Sequence, residues 1–455
     1  MNGGDTANTK QHEYNMNQQP VIIIGAGWAG LAAAVELTQK GHQVIVYEAA
    51  KQAGGRARAV PYKNETVDNG QHIFVGAYRE TLKLMKAVGI DIHSALIRLP
   101  LSLTTIDKSK AELRLKAPPL PAPLHLLFAL LFAKGLNFKQ RRAAIRFGLT
   151  LRKYNYHLRE DISLEALLMK TRQPGVLTWQ LWEPLCLAIL NTPIHEASAN
   201  IFMQVFKDAF TKKRQDADLL LPTSDLSQLF PDAAIQYIKN NGGEIHYQTR
   251  IESIEITNQQ ISGVSTKAGL IKTSQLILAS APQNVNKILP DHPHLAALKN
   301  NIEHFQYEPI VTVYLQYPEN IRLPQMMLGM SSTLSQWVFD RGQLCQQPGL
   351  FSVVISSHGE HMSMDDDKLT QVIHAEISSL LETKPELVNS FIIREKRATF
   401  ACVVNINSIR PGNETGISGL YLAGDYTDTQ YPATLEGAVR SGLSAAKYCL
   451  KSLNK

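Results

Sequence analysis

The apolar positions of this chain change period several times, and the changes outline its elements. Val21–Ile24, read VIII, is a short β-branched run, the pattern of a strand buried on both faces in a parallel sheet. LAAAVELTQK, residues 31–40, switches to helical spacing, and Gly41 marks its stop. QVIVYE, residues 43–48, returns to a strand and ends on Glu48. Farther on, GGEIHYQTRIESIEI and QISGVSTKAGLIKTSQLILAS alternate apolar and polar positions, which predicts a meander of strands returning to the core. Near the C-terminus, LYLAG reads as a buried strand. PATLEGAVRSGLSAAKYCL then reads as a helix starting near Ala433 to Leu435. The pattern contains no internal repeat and no low-complexity tract.

The first strand–helix–strand unit carries Gly25, Ala26, Gly27 and Gly30 in GxGxxG spacing. Gly25 makes the tight turn, Gly27 lets a pyrophosphate approach the backbone, and Gly30 lets helix pack on strand. The helix N-terminus offers free N–H groups to the anion. Glu48 follows 18 positions after Gly30. A carboxylate there accepts from both ribose hydroxyls and disfavours a 2′-phosphate, so an NADP-type fit is poor. This unit alone does not separate NAD from FAD.

Two further stretches do. Gly54-Gly55-Arg56 is a second glycine turn beside a cation. FAD is long enough to touch a second loop, and Arg56 can lie along its phosphates or ribityl chain; alone, the same triplet is as often a plain basic turn. Gly424 and Asp425 close the strand LYLAG at its C-terminal end, where open α/β sheets bind ligands. The Asp425 carboxylate can accept from a ribityl hydroxyl, although a bare turn former would look the same. The helix start at Thr434 and Leu435 would point N–H groups at the flavin N1–O2 edge, which gains negative charge on reduction. Together the three stretches predict FAD. No residue stands out as a covalent anchor, and Cys402 reads as a buried small side chain.

Composition narrows the class. At 455 residues the chain is too long for one compact core, so two domains or one large discontinuous one is expected. It is 44% hydrophobic and 19% charged, as soluble globular proteins are. The net charge of +6 is a mild excess, and neither zinc-finger spacing nor an RNP-type aromatic motif is present; no nucleic-acid partner and no metal site are expected. Cys186, Cys345, Cys402 and Cys449 are far apart and form no CxxC, which fits free thiols in a reducing compartment. Residues 1–18 are polar and lack the apolar region of a signal peptide, so they read as a disordered tail, and Met16 is a second candidate start.

GAGWAGLAAAVEL, GGRAR, DNGQHIFVGAY, LWEPLCLAILNTP, ADLLLPTSDLSQLFP, EKRATF and LAGDYTDTQYPATLEGAVRSG resemble, from about Val21 to Leu450, the hydroxysqualene dehydroxylases. These belong to the FAD-dependent amine oxidase and phytoene desaturase superfamily. The first and last motifs are superfamily-wide; DNGQH and LWEPLCLAILNTP are more specific. The resemblance implies an α/β fold, with a discontinuous Rossmann-like FAD-binding domain and an α+β substrate domain. The FAD domain would comprise residues 19–100, 225–290 and 390–455, and the substrate domain 101–224 and 291–389. Arg250-Ile251 would set backbone groups, Ile251 above all, beside the adenine. The implied reaction replaces an allylic alcohol on a C30 isoprenoid by hydrogen, giving squalene for hopanoid or related synthesis. The flavin would be reduced first and deliver hydride from N5.

Such chemistry needs a proton donor, an apolar tunnel and few bases near a transient allylic cation. His72 is the first donor candidate, because imidazolium can donate near neutral pH. Asp68 is second and would need a carboxyl raised by burial. Glu183 is third. Each is as readily a hydrogen-bonded structural residue. Trp179, Trp182, Leu185, Leu187, Ile189 and Leu190 would line the wall or simply fill a core.

From Ala117 to Arg159 there is no acidic residue. A proline-broken apolar run precedes Lys139, Arg141, Arg142, Arg146, Arg152, Lys153 and Arg159. The run is too short to span a bilayer. It predicts peripheral contact with the inner face of the cell membrane from a cytoplasmic protein, or else a core helix beside a solvated basic one.

Three other activities stay open: a carotenoid-type desaturase, a flavin amine oxidase for which no aromatic cage is visible, and a non-catalytic prenyl-lipid chaperone. No second glycine-rich site indicates what reduces the flavin, and the oligomeric state is not legible.

Overall fold

The computed structural model describes residues 19–63, 65–109 and 111–454; the tail expected for residues 1–18 lies outside the described residues. Its first layer is a sheet of five parallel strands. In spatial order they are Glu244–His246, Val44–Tyr47, Val21–Ile24, Leu276–Leu278 and Leu420–Leu422. Every residue of Val21–Ile24, Leu276–Leu278 and Leu420–Leu422 is buried, as the uninterrupted apolar runs require of strands covered on both faces.

The helix Trp28–Gln39 follows the first strand and stops before Gly41, whose φ of +80° suits glycine. It crosses the C-terminal helix Leu435–Leu453 at very close range. A Cβ on Gly442 would lie 2.1 Å from the Ala29 carbonyl oxygen, so glycine is what permits that crossing. The C-terminal helix is anchored at its start by Glu436. This fully buried carboxylate accepts from the Thr81 N–H at 3.0 Å, the Thr81 hydroxyl at 2.8 Å and Arg440 Nε at 2.8 Å.

The expected meander is present only in its middle. Ile251–Thr257, Gln260–Thr266 and Gly269–Lys272 form a three-stranded antiparallel sheet. The flanking pieces Glu244–His246 and Leu276–Leu278 belong instead to the parallel layer. Leu276–Leu278 is buried throughout, the mark of a strand covered on both faces, whereas Ile251–Thr257 buries only Ile251 and Ile254 and exposes Glu252, Glu255 and Thr257.

A seven-stranded sheet faces the first layer across a cleft. Its order is Asn389–Phe400, Tyr307–Gln316, Leu350–Ser356, Trp337–Asp340, Met327–Ser331, Ser102–Asp107 and Glu112–Lys116. Neighbours run antiparallel except Met327–Ser331 with Ser102–Asp107. Register places Ile310 opposite Ser356, Thr312 opposite Val354 and Tyr314 opposite Ser352. It also sets Trp337 beside Val354 and Phe339 beside Ser352. Because strand side chains alternate, these residues share one face. The other face, with Val311, Val313, Val353 and Ile355, packs on Leu369, Ile373 and Ile377 of the helix Asp366–Ser378. Each of those buried aliphatic side chains contributes about 1.5–3 kcal/mol.

The segment expected to rejoin the cofactor domain at 390 begins with a strand of this second sheet; the chain returns to the parallel layer at Leu420–Leu422. The acid-free stretch forms the helices Leu124–Leu131 and Phe138–Lys153, the second capped by a reciprocal Asn137–Gln140 box. Among the described residues no helix is long and apolar enough to cross a membrane. The four cysteines are unpaired thiols.

Candidate active site

Between the two sheets runs a single cleft of about 800 Å³. One end is built by backbone. Gly25 has a φ of +104°, and a Cβ there would lie 2.6 Å from the Ala279 carbonyl oxygen. Gly30 does not reach the cleft; a Cβ on it would lie 1.9 Å from the Gly25 carbonyl oxygen, so its role is the close packing of helix on loop. A Cβ on Gly27 would meet nothing nearer than Gly55 Cα at 3.9 Å. That bare backbone is a cradle which any side chain would fill. Gly27 is also the N-cap of Trp28–Gln39, with no side chain capping the first turn. The free N–H groups of that turn are therefore available to an anion.

Side chains tie the cradle together. Glu48 accepts from the Ala26 N–H at 2.8 Å and from the Ala50 N–H at 2.7 Å, which aims its carboxylate along the glycine loop. The Gly54 N–H donates to the Ala26 carbonyl at 2.8 Å and joins the two glycine turns. Ala26 itself is buried behind them. Arg56 Nη2 bonds both Asp425 oxygens at 2.7 Å, and its Nη1 donates to the Ala398 carbonyl at 2.5 Å. The arginine and aspartate expected along one cofactor are thus also partners of each other. Thr434 accepts from the Gly437 N–H at 3.1 Å and caps the C-terminal helix.

Gly25, Gly27, Glu48, Gly54, Gly55, Arg56, Ile251, Gly424, Asp425, Thr434 and Leu435 all line this one cleft. Thr249 and Arg250 lie at its Glu48 end, and Ala433 beside Thr434. The residues fit an extended dinucleotide, which Glu48, Gly27, Gly55 and the stretch from Gly424 to Leu435 would hold.

Beyond the cradle the cleft turns apolar. Leu187, Ile189 and Leu190 from the helix Glu183–Leu190 face Ile310, Trp337, Phe339 and Val354 of the seven-stranded sheet. The expected wall is therefore half right. Trp182 is buried against Phe147 at 4.7 Å and Trp179 is exposed, and neither they nor Leu185 line the cleft. Asn191, left-handed at φ 48°, pins the wall. Its Nδ2 donates to the Pro309 carbonyl and to Thr399 Oγ1, and its Oδ1 accepts from the Ser357 N–H at 2.9 Å.

The three donor candidates separate. His72 lines the cleft, with Nδ1 2.7 Å from the Gly70 carbonyl. Burial lowers its titration below the ordinary histidine range, which favours the neutral ring with Nδ1–H on Gly70. That removes the reason for choosing it as an imidazolium donor. Asp68 is off the cleft wall. It is 1% exposed, 3.1 Å from Arg341 Nη1 and 2.7 Å from the Leu226 N–H; burial raises its carboxyl against the pull of Arg341. Glu183 sits at the far end of its helix from the cleft, and burial raises its carboxyl too.

Gln71, Glu395, Arg397, Thr399 and the sheet residues Ile310, Trp337, Phe339, Val354 and Ser356 also line the cleft and were not expected there. The period-two spacing of Trp337 and Phe339 in WVFD, of Val354 and Ser356 in LFSVVIS, and of Glu395, Arg397 and Thr399 in NSFIIREKRATF was the available signal.

Comparison with known proteins agrees with this geometry. The profile of the flavin containing amine oxidoreductases matches residues 28–450. The chain is 27% identical to the hydroxysqualene dehydroxylase of Zymomonas mobilis over 94% of this chain and 98% of that one. It is 24% identical to the chloroplastic and chromoplastic 15-cis-phytoene desaturase of Glycine max, over 94% and 78%. Among solved structures, an oxidoreductase from Methanosarcina mazei superposes with a TM-score of 0.73 at 18% identity, covering 94% of this chain and 100% of the other. The cofactor is FAD, and the chain belongs to the flavin containing amine oxidoreductase family.

Proposed function

We propose that this protein is a hydroxysqualene dehydroxylase, which replaces the hydroxyl of hydroxysqualene by hydrogen. The observation that carries the reading is the continuity of the FAD cradle with an apolar chamber walled by Leu187, Ile189, Leu190, Ile310, Trp337, Phe339 and Val354. Near full-length similarity to a hydroxysqualene dehydroxylase supports it.

In the overall reaction a C–O bond breaks, a C–H bond forms, and the oxygen leaves as water with one added proton. Reduced FAD, held by Gly27, Gly55, Glu48, Arg56 and Asp425, would supply the hydride equivalent that balances this change. The chain's part is to hold the alcohol carbon at the ring end of the cradle and keep bulk water from a developing allylic cation. Apolar walls do this without offering a base, and the Trp337 and Phe339 rings stabilise passing positive charge. His72 lines the cleft with Nδ1–H on the Gly70 carbonyl, burial lowers its titration, and Nε2 is left as an acceptor for a substrate group.

The proposed division assigns residues 19–100, 225–290 and the chain after Phe400 to cofactor binding. Residues 101–224 and 291–400, the strand Asn389–Phe400 among them, are assigned to the substrate, because that strand pairs along Tyr307–Gln316. Phe132 and Phe138 are 72% and 76% exposed, and Leu124, Leu131 and Leu149 are exposed nearby. With Lys139, Arg142 and their neighbours they form the proposed peripheral contact with the anionic inner leaflet, next to the lipid substrate. Sedimentation with phosphatidylglycerol vesicles, weakened by salt and absent with phosphatidylcholine, is expected.

The functional test is anaerobic turnover of hydroxysqualene by photoreduced holoenzyme, with mass analysis of the hydrocarbon; squalene is expected. The similarity to a phytoene desaturase favours a second reading, in which hydride flows from a polyene to oxidised FAD. Dehydrogenation of phytoene with no squalene formed would establish that reading in place of the first.

A further inference from the structure

One amide in the cleft is oriented by a network that neither the cofactor nor the apolar wall explains. Gln71 lies in the extended stretch before the strand Phe74–Val75. Its Oε1 accepts from Arg341 Nη1 at 3.0 Å and from Ser352 Oγ at 3.2 Å. Arg341 is 1% exposed and has no freedom to leave. Its Nη1 also donates to Asp68 at 3.1 Å, its Nε donates to Gln347 at 2.6 Å, and its guanidinium lies 5.9 Å from the Tyr314 ring centroid. Asp68 is held in turn, with its carboxylate 2.7 Å from the Leu226 N–H and its main-chain carbonyl accepting from the Tyr314 hydroxyl at 2.7 Å.

Two donors occupy both lone pairs of the Gln71 carbonyl, and an amide turned over would set its NH₂ against a guanidinium. The orientation is therefore dictated by the protein. Nε2 is the free end. It has no hydrogen-bond partner among the described residues, and it is not among the buried unpaired atoms, so it is open to the cleft that Gln71 lines. Ile73, Ile310, Trp337, Phe339 and Val354, which line the same cleft, carry no side-chain acceptor, since an indole N–H only donates.

We infer that Gln71 binds the hydroxyl oxygen of the alcohol substrate, donating from Nε2, and that Arg341 and Asp68 are positioning residues for it. The inference rests on the dehydroxylase reading. An amide suits the task because it donates a hydrogen bond to oxygen as charge gathers there, yet it takes no proton from an allylic cation as a carboxylate or imidazole would. It also separates alcohol from hydrocarbon, because a hydrocarbon leaves the donor unpaired.

The test uses photoreduced holoenzyme with hydroxysqualene, and oxidised holoenzyme titrated with squalene and followed by the flavin absorbance. Gln71→Leu removes the donor. Gln71→Glu keeps the size and both acceptor contacts to Arg341 and Ser352 while replacing the donor by an oxygen. Both are expected to lose about 10²-fold in kcat/KM, chiefly in kcat, with the flavin spectrum of wild type, and Gln71→Leu, which leaves no donor unpaired, is expected to bind squalene more tightly than wild type. If wild-type enzyme makes squalene and Gln71→Glu retains a third or more of its kcat/KM, the inference is overturned while the dehydroxylase reading stands. If wild-type enzyme makes no squalene from hydroxysqualene, both are overturned.

Discussion

The two ends of the cleft are built in opposite ways. The nucleotide cradle is made of backbone from short contiguous stretches: glycines at 25, 27, 54 and 55, and an uncapped helix N-terminus. The substrate chamber is made of side chains from strands far apart in sequence, brought into one face by register: Ile310, Val354, Trp337 and Phe339. A cradle of backbone tolerates almost no added atoms, because nothing in it can rotate away. A chamber of side chains tolerates change in shape and answers in selectivity. The difference predicts that substitutions at the first end remove the cofactor, whereas those at the second leave the flavin bound and alter turnover.

The largest expected effect is at Gly30. Gly30→Ala places a methyl 1.9 Å from the Gly25 carbonyl oxygen, so the loop must move. The purified variant is expected to be colourless or insoluble, as read by flavin absorbance per protein. Recovery of yellow holoprotein with full FAD content would remove the contrast between the two ends.

Next is Arg341, behind the chamber. Arg341→Ala leaves Asp68 buried without its cation and is expected to cost about 3–5 kcal/mol in denaturant titration. In that variant Asp68 titrates above its unfolded value. Stability from the protonated form is then present at low pH and lost as pH rises through the folded value. The deficit against wild type should therefore be smaller at about pH 5 than at about pH 8. A deficit independent of pH would mean that Asp68 finds another partner.

Trp337→Leu enlarges the chamber and leaves the cradle untouched. A drop of about tenfold in kcat/KM is expected, with unchanged flavin content. Loss of FAD in this variant would show that the two ends are not separable.

The smallest effect is at His72. Its folded-state titration lies below the unfolded value, so the folded state refuses a proton that the unfolded chain accepts. That stability is present above the unfolded value and lost as pH falls through the folded one. His72→Gln should flatten the fall in melting temperature between about pH 7.5 and pH 5 by a few degrees. A slope equal to wild type would place the acid sensitivity elsewhere.

The same contrast explains what could be read in advance. Glu48, Arg56 and Asp425 were expected together because each belongs to a local strand–turn signal, and all three line one cleft. Leu187, Ile189 and Leu190 were legible as wall because one helix presents them together. Trp182 belongs to the same apolar run, yet it turns to Phe147 and donates to Gln173 at 3.2 Å. Asp68 and Gln71 stand three positions apart in one motif. The sequence drew attention to the carboxylate, but the buried Arg341 holds it off the cleft and leaves the amide facing in.

What the sequence by itself determined is the cofactor, FAD, since phosphate and ribose recognition depends on backbone shape, and glycine spacing encodes backbone shape directly. What only the tertiary structure decided is which polar group faces the substrate. That choice depends on partners contributed from residues 226, 341 and 352, and a buried charge goes where its counter-charge is, whatever motif it sits in.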